Sequence, residues 1–150
     1  MSGEDRAGLA CLWFDAADHD LRIIQTILPA GLWAGACFHA QQCAEKSVKG
    51  LLVAMDIPLV STESISDLLD LLEKRMPKEM LSAVPMEDMR RCAKLDRHYL
   101  LSRYPDARIS QKGENDIYDQ DDALDCLEKA MQIYREALRL RESMVNVAHF

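Results

Sequence analysis

Six glycines and five prolines in 150 residues leave few places where a helix has to stop. Aromatic residues make up only 6%. The apolar positions are mostly Leu, Ala, Met and Ile, a usage that favours helix over the Val, Thr and aromatic content of sheets. Bases are scarce, 18 Lys and Arg against 25 Asp and Glu, for a net charge of −7. Non-specific binding to nucleic acid comes mainly from many bases meeting phosphates, so this balance excludes a general grip of that kind. No two of the five cysteines (Cys11, Cys37, Cys43, Cys92, Cys126) form a C-x-x-C pair, and all sit in stretches that read as helical. A zinc or disulfide framework is therefore not expected, and a reduced cytoplasm fits. His19, His39, His98 and His149 are scattered, and neither His nor Cys spacing puts three ligands on one helix side, so no metal or cofactor is expected. No basic-then-apolar leader opens the chain, and its apolar runs are too broken to span a membrane. The expectation is a soluble cytoplasmic protein with no membrane partner, one domain over residues 1–150.

What is present is helical periodicity. Leu9, Leu12, Trp13, Ala16, Ala17, Leu21, Ile24 and Leu28 recur at steps of three and four, predicting a helix over about Arg6–Leu28 that ends at Pro29 and Gly31. A second helix is predicted over about Leu32–Met55, with Ala36, Ala40, Cys43, Ala44, Ser47, Leu51 and Ala54 on one side. Small side chains of this kind let another helix come close. Its other side carries His39, Gln42, Glu45, Lys46 and Lys49. That side reads either as a solvated face, with Glu45–Lys49 an ordinary i,i+4 pair worth about 0.3–0.5 kcal/mol, or as part of an anion site.

Ser61-Thr62 is read as the cap of a third helix bearing Ile65, Leu68, Leu69 and Leu72 and ending near Pro77. A short helical piece around Lys78–Val84 and a fourth helix from Pro85 to about Ser102 follow. Residues 103–118 read as the longest loop. A last helix is predicted over about Asp119–Glu142, with Ala123, Leu127, Ala130, Tyr134, Ala137 and Leu138 as its core stripe and a fraying end beyond.

Charge is unevenly spread. Glu114–Glu128 holds seven acids and no base, whereas Met86–Lys112 holds seven bases against four acids, a local +3. A local anion site is thus permitted in an acidic chain.

Three runs resemble the HEPN (higher-eukaryote and prokaryote nucleotide-binding) family in order and spacing. They are Trp13-Phe14-Asp15-Ala16-Ala17-Asp18-His19-Asp20-Leu21, the run F-H-A-Q-Q-C-A-E-K-S-V-K from Phe38 to Lys49, and L-D-R-H-Y-L-L-S-R-Y-P-D-A from Leu95 to Ala107. The resemblance implies an all-α, up-and-down bundle of about five helices that pairs into a homodimer. It also implies one of several roles: an RNase of toxin–antitoxin systems, a companion of a small minimal nucleotidyltransferase, or an appended nucleotide-binding module. Fold alone does not choose among them.

Two features depart from the family pattern. Glu63 stands before Ser64-Ile65 where many members have His. The Arg followed four to six residues later by His, which marks the RNase members, is not met from Arg97, where that register gives Leu101, Ser102 and Arg103. Arg91 and His98 offer an alternative RNase pair with six residues between them. The favoured reading is a nucleotide- or RNA-binding module, companion to a nucleotidyltransferase and without strong catalysis of its own. Its ligand site is expected at the end of the fourth helix: Arg97 and Arg103 on an anion, Tyr104 against a base, Asp96 orienting Arg97 or a ribose hydroxyl, and Lys46 and Lys49 joining from the second helix. The competing reading makes Arg103 a cap on the helix carbonyls and Tyr104 a packing residue.

Overall fold

Ser2 starts the first helix by accepting a hydrogen bond from the Asp5 backbone N–H at 3.1 Å, satisfying one of the donors that a helix N-terminus leaves free. The helix, α1, runs Gly3–Ile27 in the computed structural model, which describes residues 2–104 and 118–148, the last four of these by backbone alone. Leu28–Ala30 tightens into a 3₁₀ turn, and Gly31, at φ 73°, takes the left-handed conformation that reverses the chain. α2 then runs Trp33–Ala54.

The two helices are antiparallel, as contacts between Phe14 and Gly50, Asp20 and His39, and Ile27 and Gly35 show. A Cβ on Gly50 would lie 2.9 Å from the Phe14 ring and 3.1 Å from Trp13 Cβ, so glycine is what lets α1 come this close.

α3 spans Ile65–Arg75, with Ser64 as its cap. The cap expected at Ser61-Thr62 thus falls on Ser64, whose side chain accepts from the Asp67 N–H at 3.1 Å; Thr62 instead accepts from the Ser64 N–H. The single turn α4 (Lys78–Leu81) follows. The predicted fourth helix is broken into α5 (Met86–Cys92), a 3₁₀ stretch (Ala93–Arg97) and α6 (His98–Leu101). The break has a visible companion. Both Asp96 carboxylate oxygens reach the start of α3, accepting from the Ile65 N–H at 2.7 Å, the Ser66 N–H at 3.0 Å and Ser64 Oγ at 3.1 Å. Leu95, in the same turn, is buried in the core. The predicted loop follows; 105–117 lie outside the described residues.

α7 spans Gln120–Ala148. Asp119 and Asp122 cap it reciprocally, the Asp122 N–H on Asp119 Oδ1 at 2.8 Å and the Asp119 N–H on Asp122 Oδ2 at 3.0 Å. The helix continues past Glu142, where it was expected to end. Its buried stripe is Ala123, Cys126, Ala130, Ile133, Ala137 and Leu140, with Leu127, Tyr134 and Leu138 half-buried beside it. The predicted stripe is therefore rotated toward Cys126 and Ile133.

The fold is all-α, with no strand among the described residues. α2 lies at its centre, packed on α1, α3, α6 and α7. Ile24, Leu51, Leu52, Leu68, Leu69, Leu72, Met89, Leu95 and Ile133 are among the fully buried side chains. Each contributes about 1.5–3 kcal/mol through apolar burial. Among the described residues no helix is long and apolar enough to cross a membrane.

Candidate functional site

The central position of α2 changes what its polar residues do. Glu45 is 2% exposed and Gln41 fully buried, so this side is not the solvated face the sequence permits. Gln41 Nε2 donates to the Glu63 carbonyl at 2.7 Å, and its Oε1 accepts from Gln42. Glu45 accepts from Lys49 Nζ at 2.6 Å and from Gln42 at 3.2 Å. Lys49 also lies 5.4 Å from the centre of the Trp13 ring. Burial, the largest influence, still pushes the Glu45 carboxyl up to about 7; the bond from Lys49 opposes this, and the nearby Glu63 carboxylate adds to it.

Toward the N-terminal half of α2, Asp20 of α1 is buried with both oxygens engaged. Oδ1 meets His39 Nδ1 at 2.8 Å and Oδ2 accepts from Lys46 Nζ at 2.7 Å. A carboxylate only accepts, so Nδ1 carries the hydrogen and Nε2 is left as the free nitrogen of a partly exposed ring.

Phe38 stacks edge-on against His39, with ring centroids 5.2 Å apart. On Phe38 rests Arg103, just beyond α6. Its guanidinium carbon lies 5.3 Å from the Phe38 centroid, 5.1 Å from Tyr99 and 5.2 Å from Tyr104. One N–H donates to Tyr104 Oη at 2.9 Å, and among the described residues none goes to the last carbonyls of α6. The bonds to Tyr104 and then Tyr99 raise the guanidinium above its already high range, which keeps it charged. Among the described residues no acidic group takes the remaining donors of the fork, which suit an anion. Tyr104 is 48% exposed and offers ring surface beside them.

The six sequence-predicted ligand residues thus divide. Arg103 and Tyr104 are brought together. Lys46 sits beside His39, through Asp20. Lys49 is held by Glu45 and Trp13, away from bulk solvent. Asp96 turns both its oxygens to the start of α3 and not to Arg97. Arg97 is exposed, and its side chain makes no hydrogen bond or ion pair among the described residues. Phe38 and Asp20 are not among the residues expected at the site, and His39 is not expected beside Arg103; Tyr99 lies four residues before Arg103 on the same helix face. Phe38, His39 and Asp20 stand in the family-like runs, so a signal was there; what was lacking was the packing of α6 on α2.

The alternative pair also separates in character. Arg91 is exposed and contacts Gln132 Oε1 at 3.2 Å and Asp88 at 4.0 Å. His98 is 8% exposed, and its Nδ1 lies 2.8 Å from Tyr118 Oη. His98 further adjoins two buried thiols. One ligand atom from each of Cys37, His98 and Cys126 lies within 4.8 Å of the others. The Cys37 thiol, and then the His98 ring, hold Cys126 below the ordinary thiol range against the opposing pull of burial.

An all-α bundle that presents an arginine among aromatic rings, beside a buried Asp20 held by the half-buried His39 and Lys46, describes a class of small helical domains. The chain belongs to the HEPN family: the model described as the HEPN domain matches residues 10–140. It is 25% identical over 130 residues to a protein of Methanocaldococcus jannaschii named "Putative toxin MJ1304", covering 83% of this chain and 82% of that protein. The crystal structure of TT1696 from Thermus thermophilus is similar at 35% identity and a TM-score of 0.70, over 87% of this chain and 97% of that one. That of ST0689, an archaeal HEPN homologue, is similar at 31% identity and a TM-score of 0.66, over 88% and 97%.

Proposed function

We propose that the surface around Arg103 binds the phosphate and base of a nucleotide or of single-stranded RNA. The observation that carries this is the guanidinium set among Phe38, Tyr99 and Tyr104, with no acidic partner among the described residues. A charged fork beside exposed aromatic rings suits phosphate and base together, and it does so without the many bases that non-specific binding needs. His39, edge-on to Phe38 and partly exposed, would supply a further polar contact through Nε2. In this reading the chain is a cytoplasmic binding module and companion of a small nucleotidyltransferase, and it works as a homodimer.

The M. jannaschii relative named as a toxin supports placing the chain in a toxin–antitoxin setting. An RNase built on Arg91 and His98 has less support. A general base must reach its proton, whereas His98 is buried against Tyr118 and two thiols. Titration of nucleotides and short single-stranded RNAs into the parent and Arg103→Ala tests the binding reading. Growth on expression of the parent and of His98→Ala tests the RNase reading: growth arrest that requires His98 would favour it.

A further inference from the structure

Cys37 comes from α2, His98 from α6 and Cys126 from α7. Their exposures are 0%, 8% and 1%, so three helices converge on one closed point. An argument from spacing on one helix could not find this set, because each helix supplies a single ligand. Thiolate and imidazole donors suit zinc, and tetrahedral zinc with bonds of roughly 2.0–2.3 Å needs ligand atoms roughly 3.3–3.8 Å apart. The three atoms already lie within 4.8 Å of one another, so a contraction of at most about 1.0–1.5 Å would meet the ion. With Nδ1 of His98 taken by Tyr118 Oη at 2.8 Å, Nε2 is the nitrogen left for a metal. A metal-bound imidazole ordinarily has its other nitrogen held in this way, which fixes its tautomer and orientation.

We propose that Cys37, His98 and Cys126 bind one zinc ion, against the expectation from sequence of no metal. The two cysteines bind as thiolates and release their protons to solvent, and water takes the fourth position. The ion would tie α6 to α2 and α7. Because Tyr99 follows His98 directly, it would also fix the segment that presents Arg103. The site does not depend on what that surface binds.

The test uses the full chain purified without chelator. Elemental analysis should find one zinc per chain. Replacement by cobalt should give tetrahedral d–d bands and a thiolate charge-transfer band. Both should be lost in Cys126→Ala and kept in Cys92→Ala. Should Cys126→Ala fail to fold, the parent still decides: chelation should speed alkylation of Cys37 and Cys126, mapped by peptide mass, more than that of Cys43. Zinc well below one equivalent with no tetrahedral cobalt spectrum would overturn the proposal. Metal fully retained by a folded Cys126→Ala, or chelation that leaves alkylation of Cys37 and Cys126 unchanged, would do the same.

Discussion

Asp20 Oδ1 and His39 Nδ1 lie 2.8 Å apart across the α1–α2 interface, and Lys46 Nζ reaches the other oxygen of the same carboxylate at 2.7 Å. The carboxylate is buried, whereas the His39 and Lys46 side chains are 26% and 27% exposed. Removing the acid would leave two donors facing a gap they can only partly turn away from. Asp20→Ala is expected to cost about 2–3 kcal/mol, below the range for a wholly buried pair because both partners reach water. Urea unfolding of parent and variant measures it, and a loss under half a kilocalorie would show that the cluster does not hold the helices together.

Glu45 gives a pH dependence. Its carboxyl sits at about 7 in the fold against an ordinary 4.5, so the folded state favours the protonated form. A raised carboxyl contributes stability that is fully present below about 4.5 and is lost as pH rises through about 7. Relative to Glu45→Gln, the parent should therefore lose stability across this window, on the order of 2–3 kcal/mol in all. Melts at closely spaced pH values check it. Parallel curves for the two proteins would contradict it.

For Asp96 the structure provides a role that does not involve a ligand. Two α3 backbone N–H groups and Ser64 Oγ converge on its carboxylate, a charge-assisted cap on the positive end of the helix. Asp96→Ala is expected to lower stability by about 1–3 kcal/mol, with nucleotide or RNA affinity unchanged in the folded fraction. A stable variant with weakened binding would return Asp96 to the ligand site.

These residues mark where sequence reading succeeds and where it stops. Helix positions follow from local periodicity, so α1, α2, α3 and the start of α7 could be read to within a few residues. The break at Ala93–Arg97 could not, because it accompanies a contact between Asp96 and residues more than twenty-five positions away along the chain. That break also removes the basis for gathering Arg97, Arg103 and Tyr104 at the end of one continuous fourth helix. Arg103 and Tyr104 survived as neighbours because they are adjacent in the chain. Tyr99, four residues before Arg103, also lies within reach of a helix wheel. Phe38, from α2, joins them only through packing.

Pairing is expected from the apolar residues that the single chain leaves outside its core. Leu12, Leu32, Leu100 and Leu124 are 64%, 56%, 53% and 46% exposed. We expect a homodimer in solution. Light scattering across a size-exclusion peak at micromolar concentration decides it, and a mass near that of the 17.0 kDa chain would contradict it.

The central claim is that Arg103, set among its three rings, is a ligand-binding group and not a packing one. The most direct measurement titrates nucleotides and short single-stranded RNAs into the parent, Arg103→Ala and Tyr104→Phe, with a thermal melt of each protein beside it. The expected result is binding to the parent, an affinity weakened roughly ten- to a hundred-fold in Arg103→Ala, and melting temperatures close to the parent's. An Arg103→Ala protein that melts lower yet binds as tightly as the parent would contradict the claim, as would a parent that binds none of these ligands.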